Sequence, residues 1–271
     1  MAIPQFQRKI LNWYKKHKRD LPWRKTSDPY KILVSELMLQ QTQISRVLPK
    51  YKLFLNEFPN IKVLAQASDR KLLKIWEGLG YWKRALFLRE TARKILKEYK
   101  GKFPQDAKIL QKLPGIGPYT ARALLCFAFK KKEAFLDTNI RRVYLHFFFP
   151  KRKKVSDREI LFIAQKALWK KDPRVWHWAL FDYGAVVLKD KNINRKSLHY
   201  QKQSPFEGSL RYFRTKAVRF LLSQEKISHK SLEIFLQKEI KNKKKPYTLK
   251  DIVASLLKDK LIKKSKEYYF I

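Results

Sequence analysis

Cysteine is almost missing from this sequence: Cys126, inside the apolar run ALLCFAF, is the single one in 271 residues. No disulfide can close within the chain, a thiolate metal cluster is all but excluded, and Cys126 reads as a small core residue. Long apolar runs are missing too. None approaches the roughly 18–20 residues of a membrane span, and the opening MAIPQFQRKI has no apolar signal core, so a reducing, cytoplasmic setting is expected. Acidic residues are scarce, 23 against 63 Lys and Arg, for a formal charge of +40. Such self-repulsion is of no use to a small-molecule enzyme and suits a polyanion, nucleic acid first. A general bias toward lysine is the other reading, because lysine is spread along the chain rather than gathered in one stripe. Glycine is the last shortage: seven in all, with two of them, Gly115 and Gly117, in the short stretch PGIGP.

What is present is helical spacing, with a hydrophobic fraction of 45% that suffices for a core. FQRKILNWYKKH puts Phe6, Ile10, Trp13 and Tyr14 on one face. YKILVSELMLQQTQISRVLPKYKLFLNEF continues the pattern with a break expected at Pro49, and DRKLLKIWEGLG stops at Gly78 and Gly80. Further helical stretches end in VWHWALFDYGAVVL, and no alternating run precedes residue 200, so the first 200 residues read as all-α. NINRKSLHYQKQSPFEGS reads as a polar linker. Three helical stretches and the terminal KEYYFI then resemble a winged-helix domain; a generic helical tail is the plainer alternative.

The two glycines of PGIGP allow positive φ and close backbone approach, and Pro118 suits the first turn of a helix. Amides at that helix start would form an anion site fit for one DNA phosphate, although an ordinary helix–helix corner uses the same residues.

LPGIGPYTA, followed about twenty residues later by FLDTNIRRV, resembles the helix-hairpin-helix DNA glycosylase superfamily. LPWRKTSDPYKILVSELMLQQTQ and IWEGLGYWKRA resemble its MutY-type adenine DNA glycosylase branch, and the likeness runs from Trp13 to Gly184. The resemblance implies a bilobal helix-hairpin-helix core over 1–203, with a six-helix lobe at about 23–130 and a second lobe from 1–22 plus 131–203. A winged-helix-like DNA-binding domain would follow at 204–271.

Breaking an N-glycosidic bond passes through an oxocarbenium-like state and calls for an acid at the leaving group and a carboxylate near the sugar. Glu36 lies amid apolar neighbours, where burial raises a carboxyl pKa. By resemblance Glu36 protonates the adenine ring, Asp137 stabilises the sugar cation and helps water attack, and Asn139 partners Asp137. Without the resemblance, Asp137 reads as a helix cap and Glu36 as one half of an ion pair. Bifunctional relatives such as endonuclease III carry a strand-cutting lysine where Tyr119 stands, so this chain is expected to be monofunctional. The family has glycine where Thr138 stands. A flipped base leaves a hole to fill. The resemblance assigns Gln41, beside Gln40, and Tyr81 as wedges, Thr42 and Leu79 as contacts to the opposite base, Gly115 and Gly117 to the phosphate, and Trp23 and Arg24 to the adenine pocket; core packing is the alternative for Trp23 and Tyr81.

The family's [4Fe–4S] cluster, bound by four cysteines after a GA segment, is expected to be absent here: DYGAVVLKDKNINRKSLHYQKQ has none. Local packing and the basic loop over 189–202 would replace it, and no metal is expected. Residues 208–271 do not suit the family's C-terminal Nudix-like domain, which touches the preference for 8-oxoguanine. The expected partner is mismatched double-stranded DNA, bound by a monomer in the cytoplasm on the nucleoid. A thymine or uracil glycosylase acting on G mismatches, or a non-catalytic DNA-binding protein, are the competing readings.

Overall fold

The computed structural model describes residues 1–189, 192–241 and 247–271. Its helices are α1 (Ile3–His17), α2 (Pro29–Leu39), α3 (Ile44–Glu57), α4 (Ile61–Gln66), α5 (Asp69–Trp76), α6 (Lys83–Tyr99), α7 (Ala107–Leu110), α8 (Pro118–Phe129), α9 (Thr138–Phe148), α10 (Asp157–Lys166), α11 (Pro173–Val186), α12 (Leu210–Ser223), α13 (His229–Lys241) and α14 (Leu249–Lys258). Short strands β1 (Ile227–Ser228), β2 (Lys263–Lys264) and β3 (Tyr268–Phe270) lie near the end. The all-α reading of the first 200 residues holds among the described residues, where a single parallel bridge, Val155 to Ser197, is the extended pairing. No helix among them is long and apolar enough to cross a membrane.

Capping explains many helix starts. Asn60, Ser68, Asp106, Asp137, Asp172 and Ser209 each accept backbone N–H bonds from the turn they precede. Ser156 with Glu159, and Thr248 with Asp251, form reciprocal capping boxes. The break expected at Pro49 occurs earlier. The chain leaves the helix at Gln40 to Gln43, with Gln41 at φ +56°, and Pro49 then sits inside α3. There it forfeits one backbone bond, to Ser45, and the helix continues on its buried Val47, Tyr51 and Phe54 face.

The chain divides into two compact units, Met1–Glu36 with Phe103–Lys202 and Leu37–Lys102 with Gln203–Ile271. In the first, α11 is the central helix. Phe6 of α1 meets the fully buried Trp176 edge-on, with centroids 5.5 Å apart. Phe127 of α8 stacks on Trp178 at 5.7 Å. That packing groups 103–130 with α11, where the expected lobe boundaries had run from about 23 to 130. The stretch expected as a linker from Asn192 is partly built into this unit. Ile193–Lys196 forms a 3-10 turn with Ile193 buried, and Val155 exchanges backbone bonds with Lys196 and Leu198 at 2.8 and 3.0 Å. Of the basic loop at 189–202, Asp190 and Lys191 lie outside the described residues.

In the second unit, Trp76, Phe54 and Phe58 fill the core of α3 to α6. The C-terminal stretch runs helix, strand, helix, helix, strand, strand, with sheet order β1-β3-β2, all antiparallel. The two-residue β1 is too short to leave an alternating pattern in sequence. This stretch is fastened to the earlier helices: Asp259 accepts from Lys83 and Arg214, Asp69 accepts from Lys263 at 2.7 Å, and Arg70 donates to the carbonyls of Leu221, Leu222 and Gln224.

Candidate active site and nucleic-acid interface

The first unit brings Glu36, Tyr119, Asp137 and Asn139 into one electrostatic group. Glu36 is the eighth residue of α2, 5% exposed among Leu33, Val34, Leu37 and Met38. Burial pushes its carboxyl up to about 7; a hydrogen bond from Tyr119 pulls the other way, and the charge of Asp137 adds to the rise. Tyr119 is in the first turn of α8, propped edge-on by Phe135 at 5.7 Å, and Phe135 is itself stacked flat on the buried His177. Burial, with the neighbouring carboxyls, holds the Tyr119 phenol well above its usual range, so it remains an O–H donor.

Asp137 is the cap of α9. Its Oδ1 accepts from the Ile140 amide at 2.7 Å and its Oδ2 from Asn139 Nδ2 at 2.9 Å. Burial raises its carboxyl, and these donors oppose that rise by favouring the carboxylate. Asp137 is thus a helix cap, as its position in sequence suggests, and the raised Glu36 carboxyl adds to the same buried group. Thr138 is exposed at the first position of α9. The register of α9 is fixed by Gly184 of α11, where a Cβ would stand 2.4 Å from the Asn139 carbonyl oxygen. Arg142 donates to the Gly184 carbonyl at 2.7 Å, and Arg141 grips Asp157 with two bonds at 2.8 and 2.7 Å.

Gly115 has φ +75°, as expected. Gly117 does not: at φ −86°, ψ −179° it is extended and caps α8, so backbone strain gives no reason for glycine there. A Cβ at Gly117 would meet nothing within 4 Å, so the protein's own packing gives none either. Trp23 is buried, in a 3-10 turn Pro22–Arg24. The Arg24 guanidinium makes two 2.8 Å bonds to Asp182, which is fully buried and also held by Arg19. Burial alone would raise Asp182; the two arginines outweigh it and hold the carboxyl below its usual range.

The single cysteine does not fit an iron–sulfur cluster. Cys126 is buried in α8 with its Sγ 3.6 Å from His177 Nδ1, and among the described residues no three His, Cys, Asp or Glu side chains group as metal ligands.

In the second unit the two expected wedge segments meet around Arg84, which the sequence did not single out. This buried guanidinium donates to the carbonyls of Leu37, Met38 and Gln40, to those of Leu79 and Gly80, and to Thr42 Oγ1. Thr42 donates in turn to the Leu79 carbonyl at 3.1 Å. The Leu79 side chain is buried; Gln41 is exposed; Tyr81 is half-buried at φ +47°. Burial lowers the Arg84 guanidinium to about 10, which leaves it cationic at neutral pH.

Residues 34–170 match the family described as HhH-GPD superfamily base excision DNA repair protein. The chain is 36% identical over 201 residues to the adenine DNA glycosylase of Buchnera aphidicola subsp. Baizongia pistaciae, covering 71% of this chain and 55% of that protein. It is 45% identical over 135 residues to that of Mycolicibacterium smegmatis, covering 49% and 46%. The chain thus spans about half the length of the curated relatives it matches. Among solved structures, a thermostable thymine-DNA glycosylase superposes with a TM-score of 0.64 at 28% identity, covering 70% of this chain and 89% of that one.

Proposed function

We propose that this chain, which belongs to the HhH-GPD superfamily of base excision DNA repair proteins, is a monofunctional glycosylase that removes adenine mispaired with 8-oxoguanine or guanine. The observation that carries the reading is the buried Glu36–Tyr119–Asp137 group: one carboxyl raised by burial to about 7 beside the phenol, and a second whose cap donors favour its ionised form against the burial that raises it. In the proposed reaction the duplex is bound by a monomer and the adenine is flipped out of the stack. Glu36 gives its proton to the purine ring, the bond from C1′ to N9 breaks, and its electron pair stays with the departing base. Asp137 stabilises the sugar cation, water adds at C1′, and the released proton returns to the Glu36 carboxylate. Tyr119 offers no amine, so no Schiff base forms and the strand stays intact.

Gln41 and Tyr81 would fill the hole left by the base, with Thr42 at the opposite one. The exposed Gly117 amide, at the start of α8, would take a phosphate, and the C-terminal helix–strand order of a winged helix would grip duplex. Trp23 would form a wall of the adenine pocket and Arg24 would brace that wall through Asp182.

Base-release assays on duplexes with A opposite 8-oxoguanine, A opposite G, and T or U opposite G test this directly. Release of adenine, seen as strand cleavage only after alkali, is the expected result. No release from either adenine duplex overturns it. The likeness to a thymine-DNA glycosylase at 28% identity favours a second reading, removal of thymine opposite G, and the same panel separates the two.

A further inference from the structure

The two expected wedge residues are both held by the C-terminal stretch of their own unit. Gln203 Nε2 donates to the Gln41 side-chain carbonyl at 3.0 Å and to the Tyr81 hydroxyl. Arg211, in the first turn of α12, donates from Nη1 to the same hydroxyl at 2.6 Å, and its guanidinium lies 5.7 Å from the Tyr81 ring centre. The other arm of Arg211 donates to the Ser204 carbonyl at 2.8 Å and so clamps the segment that carries Gln203. Gln41 and Tyr81 both have positive φ, at +56° and +47°. Such conformations persist in non-glycine residues only where the surroundings hold them. Arg84 fixes the two backbones from within; Gln203 and Arg211 fix the two side-chain tips from outside.

We propose that Gln203 and Arg211 are positioning residues for the Gln41–Tyr81 pair, so that the C-terminal stretch takes part in probing the base pair as well as in holding duplex. The inference rests on the wedge roles proposed above. α12 is suited to this work because Arg70, Asp259 and the 3.0 Å Arg219–Glu77 pair anchor it on α5 and α6, which bound the Tyr81 turn.

The test uses 2-aminopurine opposite guanine in a duplex, in an Asp137→Asn background that retains the base. Its fluorescence reports unstacking, and anisotropy reports affinity for undamaged duplex. Gln203→Ala, Arg211→Lys and Tyr81→Phe are each expected to lower the unstacking equilibrium about tenfold, as for loss of a bond to a polar or charged partner. Arg211→Lys keeps the charge, so duplex affinity should change by less than about twofold. The combination of Arg211→Lys with Tyr81→Phe should fall short of the product of the two single effects, because the Arg211–Tyr81 bond is common to both. Glu239→Ala, which removes the Tyr212 and Lys216 contacts in the same unit, should leave the signal unchanged. Full signal in Arg211→Lys, or effects that multiply in the double variant, overturns the proposal. If the otherwise native enzyme releases no base from any duplex, the glycosylase reading fails, and the fluorescence still decides the positioning role.

Discussion

The hydroxyl of Tyr119 is hydrogen-bonded to the carboxyl of Glu36, and it acts against the burial that raises that carboxyl. The phenol therefore lowers the Glu36 carboxyl against its burial. Activity that needs protonated Glu36 should fall as pH rises through about 7. In Tyr119→Phe the donor that favours the carboxylate is gone, and the alkaline limb should move to higher pH. Single-turnover base release between pH 5.5 and 9 measures this; a limb that stays put or moves down contradicts it.

Glu36→Gln should abolish base release yet raise stability at alkaline pH. The folded-state carboxyl is raised from 4.5 to about 7. The unfolded chain loses its proton first, so stability falls as pH rises from 4.5 to about 7 and is level above. The shift is worth on the order of 3 kcal/mol. The variant's melting temperature should therefore exceed that of the native protein at pH 8, with the gap closing toward pH 4.5. Buried His177, lowered by burial to about 4, gives the opposite slope between about 4 and 6.5 in both proteins and drops out of the difference.

Gly184→Ala places a methyl 2.4 Å from the Asn139 carbonyl oxygen. Backbone is in the way, so α9 must shift, carrying Asp137 and Asn139 with it. Overpacking of this kind costs about 1–3 kcal/mol. Calorimetry should show that loss, and base release should drop further than stability explains; native-like turnover in the alanine variant contradicts the register argument.

Gly117→Ala tests the phosphate role without disturbing the fold. The backbone there is extended and the Cβ would enter open space. Stability should change by less than about 1 kcal/mol, since lost cap preference and reduced unfolded-chain freedom oppose each other. Affinity for duplex should nonetheless weaken severalfold, because a methyl keeps a phosphate from the amide. Unchanged binding, measured by anisotropy at fixed salt, removes the phosphate assignment.

Arg84→Lys should be costly despite keeping the charge. One ammonium has three donors, and the guanidinium serves six carbonyls, that of Tyr81 included, and the Thr42 hydroxyl. Each orphaned buried acceptor costs about 1–3 kcal/mol. Denaturant unfolding should show a loss of that order or more, and the 2-aminopurine signal should fall with it.

The helices and the pattern of their buried faces were legible because apolar spacing is local: Phe6, Ile10 and Tyr14 are buried where the spacing put them. So were the burial of Glu36, which stands in an apolar run, and the capping by Asp137, which stands where a cap belongs. A shortage of acids made Asp182, in FDYGA, the one further signal that could have been read. Arg84, Gly184, Gln203 and Arg211 left none. Their roles depend on partners as far as 162 positions away, in contacts such as Arg84–Thr42, Arg211–Tyr81 and Gln203–Gln41.

The sequence by itself determined a basic, helical, cysteine-poor chain, with its two carboxyls and its glycine turn in a recognisable order. Only the tertiary structure decided that burial raises both carboxyls, that Gly117 is free of backbone strain, and that the Gln41 and Tyr81 side chains are held from residues 203 and 211. Charge and helical periodicity are properties of neighbours along the chain. Burial, hydrogen-bond supply and close approach are properties of neighbours in space, and pKa, loop geometry and positioning follow from those.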